Sequence, residues 1–128
     1  LADLQKKRFQ WADFIAIQVD AESFPQDYSG SNAPYFEAQL LAFLAEKGVK
    51  HFITNLPSVD REEDGGALAA HHAFWQYPEA TREEATITEL AFFPKNLREG
   101  EYFINLQLAP LHSDASPSRP LLFPLKKL

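Results

Sequence analysis

One amphipathic helix between two short apolar runs restricts the fold of this chain more than any other feature. The helical segment is APYFEAQLLAFLAEKG (33–48), where a proline suits the first turn and a glycine suits the end. The flanking runs WADFIAIQV (11–19) and VKHFITNL (49–56) are typical of buried strands. Strand, helix and strand together predict a βαβ unit with its two strands in parallel.

The rest of the chain predicts one more helix and three more strands, joined by polar loops. The helix is expected at ALAAHHAFWQY (67–77), and the strands at TITELAFF (86–93), YFINLQLAPL (102–111) and LLFPL (121–125). The loops are expected at 20–34, 57–66 and 112–120. The order β-α-β-α-β-β-β predicts a single α/β domain with a mixed sheet and flanking helices. Pro124 suggests that the last strand lies at an edge.

Composition excludes several classes of function. The net charge of −6 offers no basic stripe for a nucleic-acid backbone, so we expect no nucleic-acid partner. No apolar run reaches the roughly 20 residues of a membrane-spanning helix, so we expect no membrane partner. The chain has no cysteine, which excludes disulfides, thiolate zinc sites and cysteine nucleophiles. The lack of cysteine is also compatible with the cytoplasm, our expected location.

Two adjacent histidines, His71 and His72, lie in the apolar run GALAAHHAFW (66–75). Neighbouring positions on a helix point about 100° apart, so only one of the two can face a pocket. Judged from the residues alone, a histidine in this place is more often structural than a metal ligand. His51 and His112 have no spacing that joins them to this pair.

Glu89 lies in the mostly apolar strand TITEL, on the same face as Ile87. A carboxylate that faces a core needs a cation, a metal or a hydrogen-bond donor. The alternative is a charge that keeps an edge strand soluble. His71 or His72 together with Glu89 would suit zinc or manganese, although two ligands are too few to hold a catalytic metal.

Two polar loops hold further candidates for ligand binding. Ser58 and Asp60 follow a strand in PSVD (57–60), where they either bind a ligand or cap the next turn, and capping is the better expectation. Ser116 and Arg119 lie in SDASPSRP (113–120), which either holds an anion through the guanidinium or forms an ordinary turn between two prolines.

The run from about residue 41 to residue 125 resembles the cyclase family of metal-dependent hydrolases, which includes kynurenine formamidases and isatin hydrolases. The pieces that carry the resemblance are LAEKGVKHFITNLPSVD, LAAHHAFW, TITEL, GEYFINLQLAPL and DASPSRP, in that order. The most telling pieces are DASPSRP and the pairing of SVD with AHH. The resemblance implies a swivelling β/β/α fold, in which residues 1–128 form the C-terminal part of a cyclase-like domain.

The family resemblance also implies a divalent metal, zinc or manganese. The family holds its metal mainly through an HxGTHxDxP motif, and a later histidine and glutamate would fall here on His71 and Glu89. The motif is absent, and the chain starts at Leu1 without any methionine. We therefore expect the remaining ligands and the catalytic histidine upstream. The interval of 18 residues (89 − 71) is longer than expected and suggests an insertion in QYPEATREE (76–84).

The function implied by the resemblance is arylformamidase-like amide hydrolysis, as in tryptophan catabolism. A metal would activate water for attack on a formamide or cyclic amide carbonyl, with Ser58, Ser116 and Arg119 on the substrate side. Phe74 and Trp75 either pack against an aromatic substrate or belong to the core, and the core is favoured. The resemblance makes a homodimer plausible.

Two other functions are compatible with the sequence. The first is a truncated cyclase-like module without metal or catalysis, which acts in binding or oligomerisation. The second is an enzyme of unrelated chemistry that uses His71 and Glu89 as an acid–base pair.

Overall fold

The computed structural model describes residues 12–19 and 27–125, which form two compact units divided after Phe92. The first unit contains strands β1 (Phe14–Ile17), β2 (His51–Thr54) and β3 (Thr86–Thr88), and helices α1 (Ala38–Glu46) and α2 (Ala69–Trp75). The second unit contains strands β4 (Tyr102–Leu108) and β5 (Ser118–Pro124). The predicted order of elements and the α/β class are confirmed. In the described residues the parallel strand pairs form one sheet, β1-β2-β3, and the antiparallel pair forms a second sheet, β4-β5.

The first unit is built on a parallel sheet in the order β1-β2-β3. The central strand β2 is buried over Phe52, Ile53 and Thr54, as expected of a parallel strand with cover on both faces. Helix α1 lies between β1 and β2 in the chain, so the predicted βαβ unit is confirmed. Part of the predicted loop at 20–34, residues 20–26, lies outside the described residues.

Helix α1 is shorter than the predicted segment 33–48. Its first turn starts only at Ala38, because the preceding backbone is extended and Phe36 donates its N–H to the Val59 carbonyl at 2.9 Å. Gly48 does end the helix, at a φ of 83° that favours glycine. This end is sharp because Val49 donates back to the Leu44 carbonyl at 3.1 Å.

The core of the first unit lies where both helices pack on the sheet. Leu41 and Leu44 of α1 and Phe74 of α2 are fully buried, and they pack in one cluster with Phe52 of β2. Phe52 meets the Phe36 ring edge-on, with 5.1 Å between the ring centroids. This burial fixes α2, and with it the side chains on its exposed side, against α1 and Phe52 of β2.

Strand β3 ends much earlier than the predicted segment 86–93. Leu90 has a positive φ of 52°, which turns the backbone out of the strand. Beyond β3 the chain forms hydrogen bonds with the end of β2 and the residues that follow it. Leu90 donates its N–H to the Leu56 carbonyl, and Ala91 donates its N–H to the Thr54 carbonyl. Glu89 therefore lies just beyond the strand, and the expectation of an in-strand position was wrong.

The second unit is an antiparallel hairpin of β4 and β5, in which Phe103 pairs with Phe123. Strand β5 begins at Ser118, three residues before the predicted start, so the prediction that 118–120 belong to a loop was wrong. Arg119 is a strand residue opposite Gln107. In a sheet of two strands both are edges, which explains why the strand tolerates Pro120 and Pro124 and agrees with the edge predicted from Pro124.

No helix in the described ranges has the length and apolar character needed to cross a membrane.

His51 makes the stability of the first unit dependent on pH. Burial lowers the pKa of His51, the Asp13 charge opposes this, and the Lys50 charge adds to it. Since the unfolded chain then binds the proton more readily, the contribution of His51 to the free energy of unfolding is fully present above about pH 6.5 and is lost as the pH falls below that value. We expect His51→Gln to reduce this fall, measured by urea unfolding at about pH 7.5 and pH 5.5. The exposed His112, changed to Gln, is the control, and an undiminished fall in His51→Gln would contradict the assignment.

Candidate functional site

The structure brings His71 and Glu89 together. His71 is in the first turns of α2 and Glu89 follows β3, so helix docking and the strand end set their positions. His71 Nε2 lies 3.4 Å from Glu89 Oε1. The two side chains are 14% and 28% exposed, which leaves the pair at the surface of the first unit but largely shielded from solvent.

Asp60 contacts His71 through the ring nitrogen that faces away from Glu89. Its Oδ2 atom lies 2.6 Å from His71 Nδ1. Its two oxygens also accept the N–H groups of the first turn of α2, from Ala70 at 2.7 Å and from His71 at 3.2 Å. Asp60 is only 8% exposed. Asp60 therefore caps α2, which starts nine residues later, rather than the next turn as predicted, and its contact with the imidazole was not predicted.

The backbone next to Asp60 holds Glu89. Val59 donates its N–H to Glu89 Oε1 at 2.8 Å, so consecutive residues contact the two members of the pair. Ser58 Oγ accepts the Asp60 N–H at 3.1 Å and closes the turn between them. This is the turn-capping alternative for Ser58, and its substrate-binding role stays a prediction.

His71 and Glu89 match part of the ligand geometry of a divalent metal site. Nitrogen and oxygen ligands of one tetrahedral zinc ion stand about 3.4 Å apart, given bond lengths near 2.1 Å. His71 Nε2 and Glu89 Oε1 have this separation. The contact of Asp60 with the other ring nitrogen is the usual support of a metal-binding histidine. Within residues 12–19 and 27–125, however, no group of three or more histidines and acids converges on one point.

A cavity of about 460 Å³ adjoins the pair through Asp60. Tyr28, Pro57 and Leu90 supply apolar surface, and Ser58 lies on the same wall. Two further acids line the cavity, Asp27 and Glu62. The Ser29 N–H holds the pKa of Asp27 below its ordinary value, so this carboxylate is charged near neutral pH. The cavity can take a small molecule next to Asp60, and neither His71 nor Glu89 belongs to its lining.

The other residues of α2 have structural positions. The His72 ring packs on Tyr77, with 4.9 Å between centroids. Phe74 is fully buried, which confirms the core alternative for this residue. Trp75 is half-buried against the core and donates its indole N–H to the Ala85 carbonyl at 3.1 Å.

The remaining histidines lie away from the pair or in the other unit. His51 is at the start of β2, whereas the pair lies beyond the strand ends, and its Nδ1 faces Thr86 Oγ1 at 2.9 Å. His112 is an exposed residue of the second unit. Ser116 and Arg119 also belong to the second unit, where Ser116 Oγ donates to the Ala109 carbonyl at 2.8 Å. Their substrate-binding role stays a prediction.

Comparison with known proteins finds relatives of a single kind. No protein-family model matches the chain. The kynurenine formamidase of Bacillus cytotoxicus is 33% identical over 124 residues, which are 96% of this chain and 55% of that protein. The kynurenine formamidase of Bacillus anthracis is 32% identical over 124 residues, which are again 96% of this chain and 55% of that protein. That of a Bacillus cereus strain is 32% identical over 106 residues, which are 82% of this chain and 44% of that protein.

The chain thus spans about half the length of the curated relatives that it matches. The similarity extends over almost all of this chain, beyond the segment 41–125 on which the resemblance was first based. The predicted relationship is therefore confirmed: this chain is related to the kynurenine formamidases of the cyclase family.

Proposed function

We propose that this chain supplies part of the active site of a metal-dependent hydrolase that cleaves the carbon–nitrogen bond of an aryl formamide or a related cyclic amide. One observation carries the proposal: the free ring nitrogen of His71 faces a carboxylate oxygen of Glu89 at 3.4 Å. The name of the relatives, kynurenine formamidase, supports the class of reaction.

The protonation pattern explains why a cation suits this position. An ionised Asp60 carboxylate, which already accepts backbone N–H groups, can only accept from His71 Nδ1 as well, and this would place the ring proton on the Asp60 side. In a neutral ring, Nε2 then presents a lone pair to Glu89. Two electron-rich atoms at this separation need positive charge between them, which a divalent metal or a second ring proton supplies.

His71 and Glu89 would hold the metal, zinc or manganese, with further ligands from outside the described residues. Such an ion would supply Lewis-acid chemistry and lower the pKa of a bound water. Asp60 and the Val59 N–H keep the two ligands in place. The cavity with Tyr28, Pro57 and Leu90 offers apolar contact to the aromatic part of an amide substrate.

A metal-free acid–base pair is the second candidate, because a separation of 3.4 Å also suits an imidazolium next to a carboxylate. In that case hydrolysis would persist after chelation. The third candidate, a non-catalytic module, would show neither metal nor hydrolysis. Metal analysis of the full natural protein, combined with an aryl formamide assay before and after chelation, separates the three.

Glu89→Gln tests the metal directly. Glutamine keeps the size of the side chain and an oxygen for the Val59 N–H but removes the negative charge. We expect zinc affinity to fall by at least about 10- to 100-fold, the range that even supporting residues show. Titration calorimetry with zinc measures the change. Glu84→Gln, at an exposed position, is the matched control, and equal zinc affinity in Glu89→Gln and the unchanged protein would exclude Glu89 as a ligand.

A further inference from the structure

We propose that Asp60 is a positioning residue that fixes His71 in its Nδ1–H tautomer and so directs the Nε2 lone pair toward Glu89. The inference rests on the proposed function, since it assigns Asp60 a role toward the same metal position. It concerns the ring nitrogen that faces away from the metal.

The first step of the argument is that Asp60 cannot turn away from the ring. Its Oδ1 accepts from Ala70 N at 2.7 Å, and its Oδ2 accepts from His71 N at 3.2 Å. These two bonds tie the carboxylate to the first turn of the helix that carries His71. At 8% exposure, water has little access to replace them.

The second step is that this fixed carboxylate leaves the ring one neutral tautomer. Asp60 Oδ2 and His71 Nδ1 are 2.6 Å apart, a short contact typical of a charge-assisted hydrogen bond. An ionised carboxylate has no proton to donate, so Nδ1 must carry it. In the neutral ring, Nε2 is then the unprotonated nitrogen, and it lies on the Glu89 side.

The third step separates positioning from helix capping. Asp64 is a second acid that holds backbone near the start of α2, through Gly66 N and Leu68 N, both at 2.7 Å. No described contact joins Asp64 to the His71 ring. Asp64→Asn therefore disturbs the approach to the helix without touching the imidazole, and it is the matched control for Asp60→Asn.

The experiment uses the full natural protein in metal-free form at about pH 8.5, where an ordinary imidazole is neutral. Nitrogen-15 chemical shifts of His71 report which ring nitrogen carries the proton. We expect Nδ1–H in the unchanged protein and in Asp64→Asn. In Asp60→Asn the amide NH2 can donate to Nδ1, so we expect a shift toward the Nε2–H form. We also expect zinc affinity to fall by about 10- to 100-fold in Asp60→Asn alone.

The unchanged protein tests the inference even where Asp60→Asn does not fold: a proton on His71 Nδ1 there supports it, whereas a His71 ring whose proton lies on Nε2 alone would overturn it. So would an Asp60→Asn protein with unaltered tautomer and zinc affinity, although the proposed function would then stand. Conversely, an unchanged protein that shows Nδ1–H but binds no zinc would refute the proposed function and leave the tautomer assignment intact.

Discussion

Under the proposed function, the His71→Ala protein is expected to lose the divalent metal and the hydrolysis of aryl formamides. Alanine removes the nitrogen that faces Glu89 at 3.4 Å and leaves that carboxylate with the Val59 N–H as its described partner. Zinc affinity should drop by more than about 100-fold, because loss of a direct ligand exceeds the 10- to 100-fold cost of a supporting residue. Metal analysis after dialysis, together with the rate of formamide hydrolysis, measures both losses.

His72→Ala is the matched control for this experiment, since it makes the same change at the next position of α2. The His72 ring packs on Tyr77 and does not face the pair, so metal content should be retained. Full metal occupancy in His71→Ala would remove His71 from the site and leave Glu89 as the one proposed metal ligand in the described residues. Equal losses in both variants would indicate general damage to α2.

The fold of the first unit could be predicted because its signals are local. Helix α1 carries its apolar face and its terminating Gly48 within one segment, and the buried strand β2 follows at once. The errors lie at element ends, where distant partners decide. Phe36 is extended because of Val59, and β3 stops because Leu90 bonds to Leu56. Such partners are far apart in the sequence and leave no periodic pattern.

The site was predicted only in part, because long-range contacts select among similar residues. The segment DREED (60–64) contains four acids, and a sequence pattern cannot tell which of them reaches the histidine. In the structure Asp60 holds α2 and His71, Glu62 bonds to Gly30 N at 2.9 Å, and Asp64 bonds to Leu68 N. The convergence of His71 and Glu89 was anticipated through the family resemblance rather than through their spacing.

The long interval between His71 and Glu89 is accommodated by an ordered connection. Within QYPEATREE (76–84), Arg82 donates to the Phe74 carbonyl at 2.8 Å and to the Val49 carbonyl at 2.6 Å. Its guanidinium also lies over the Phe74 ring, 5.1 Å from the centroid. The extra residues are therefore tied to α2 and to the start of β2, and β3 still enters the sheet in a position that delivers Glu89.

Phe74→Ala is expected to destabilise the protein by about 3–5 kcal/mol, the cost of removing a phenylalanine ring from a packed core. The ring is fully buried against Phe52 and beneath Arg82, so truncation leaves a cavity and loosens α2, which carries His71. Urea unfolding gives the free energy. The same change at Phe92, 61% exposed, should cost less than about 1 kcal/mol. If Phe74→Ala also lowered the free energy of unfolding by less than about 1 kcal/mol, packing of Phe74 in this core would not be what holds α2. The positions of Asp60, His71 and Glu89 would then need another explanation.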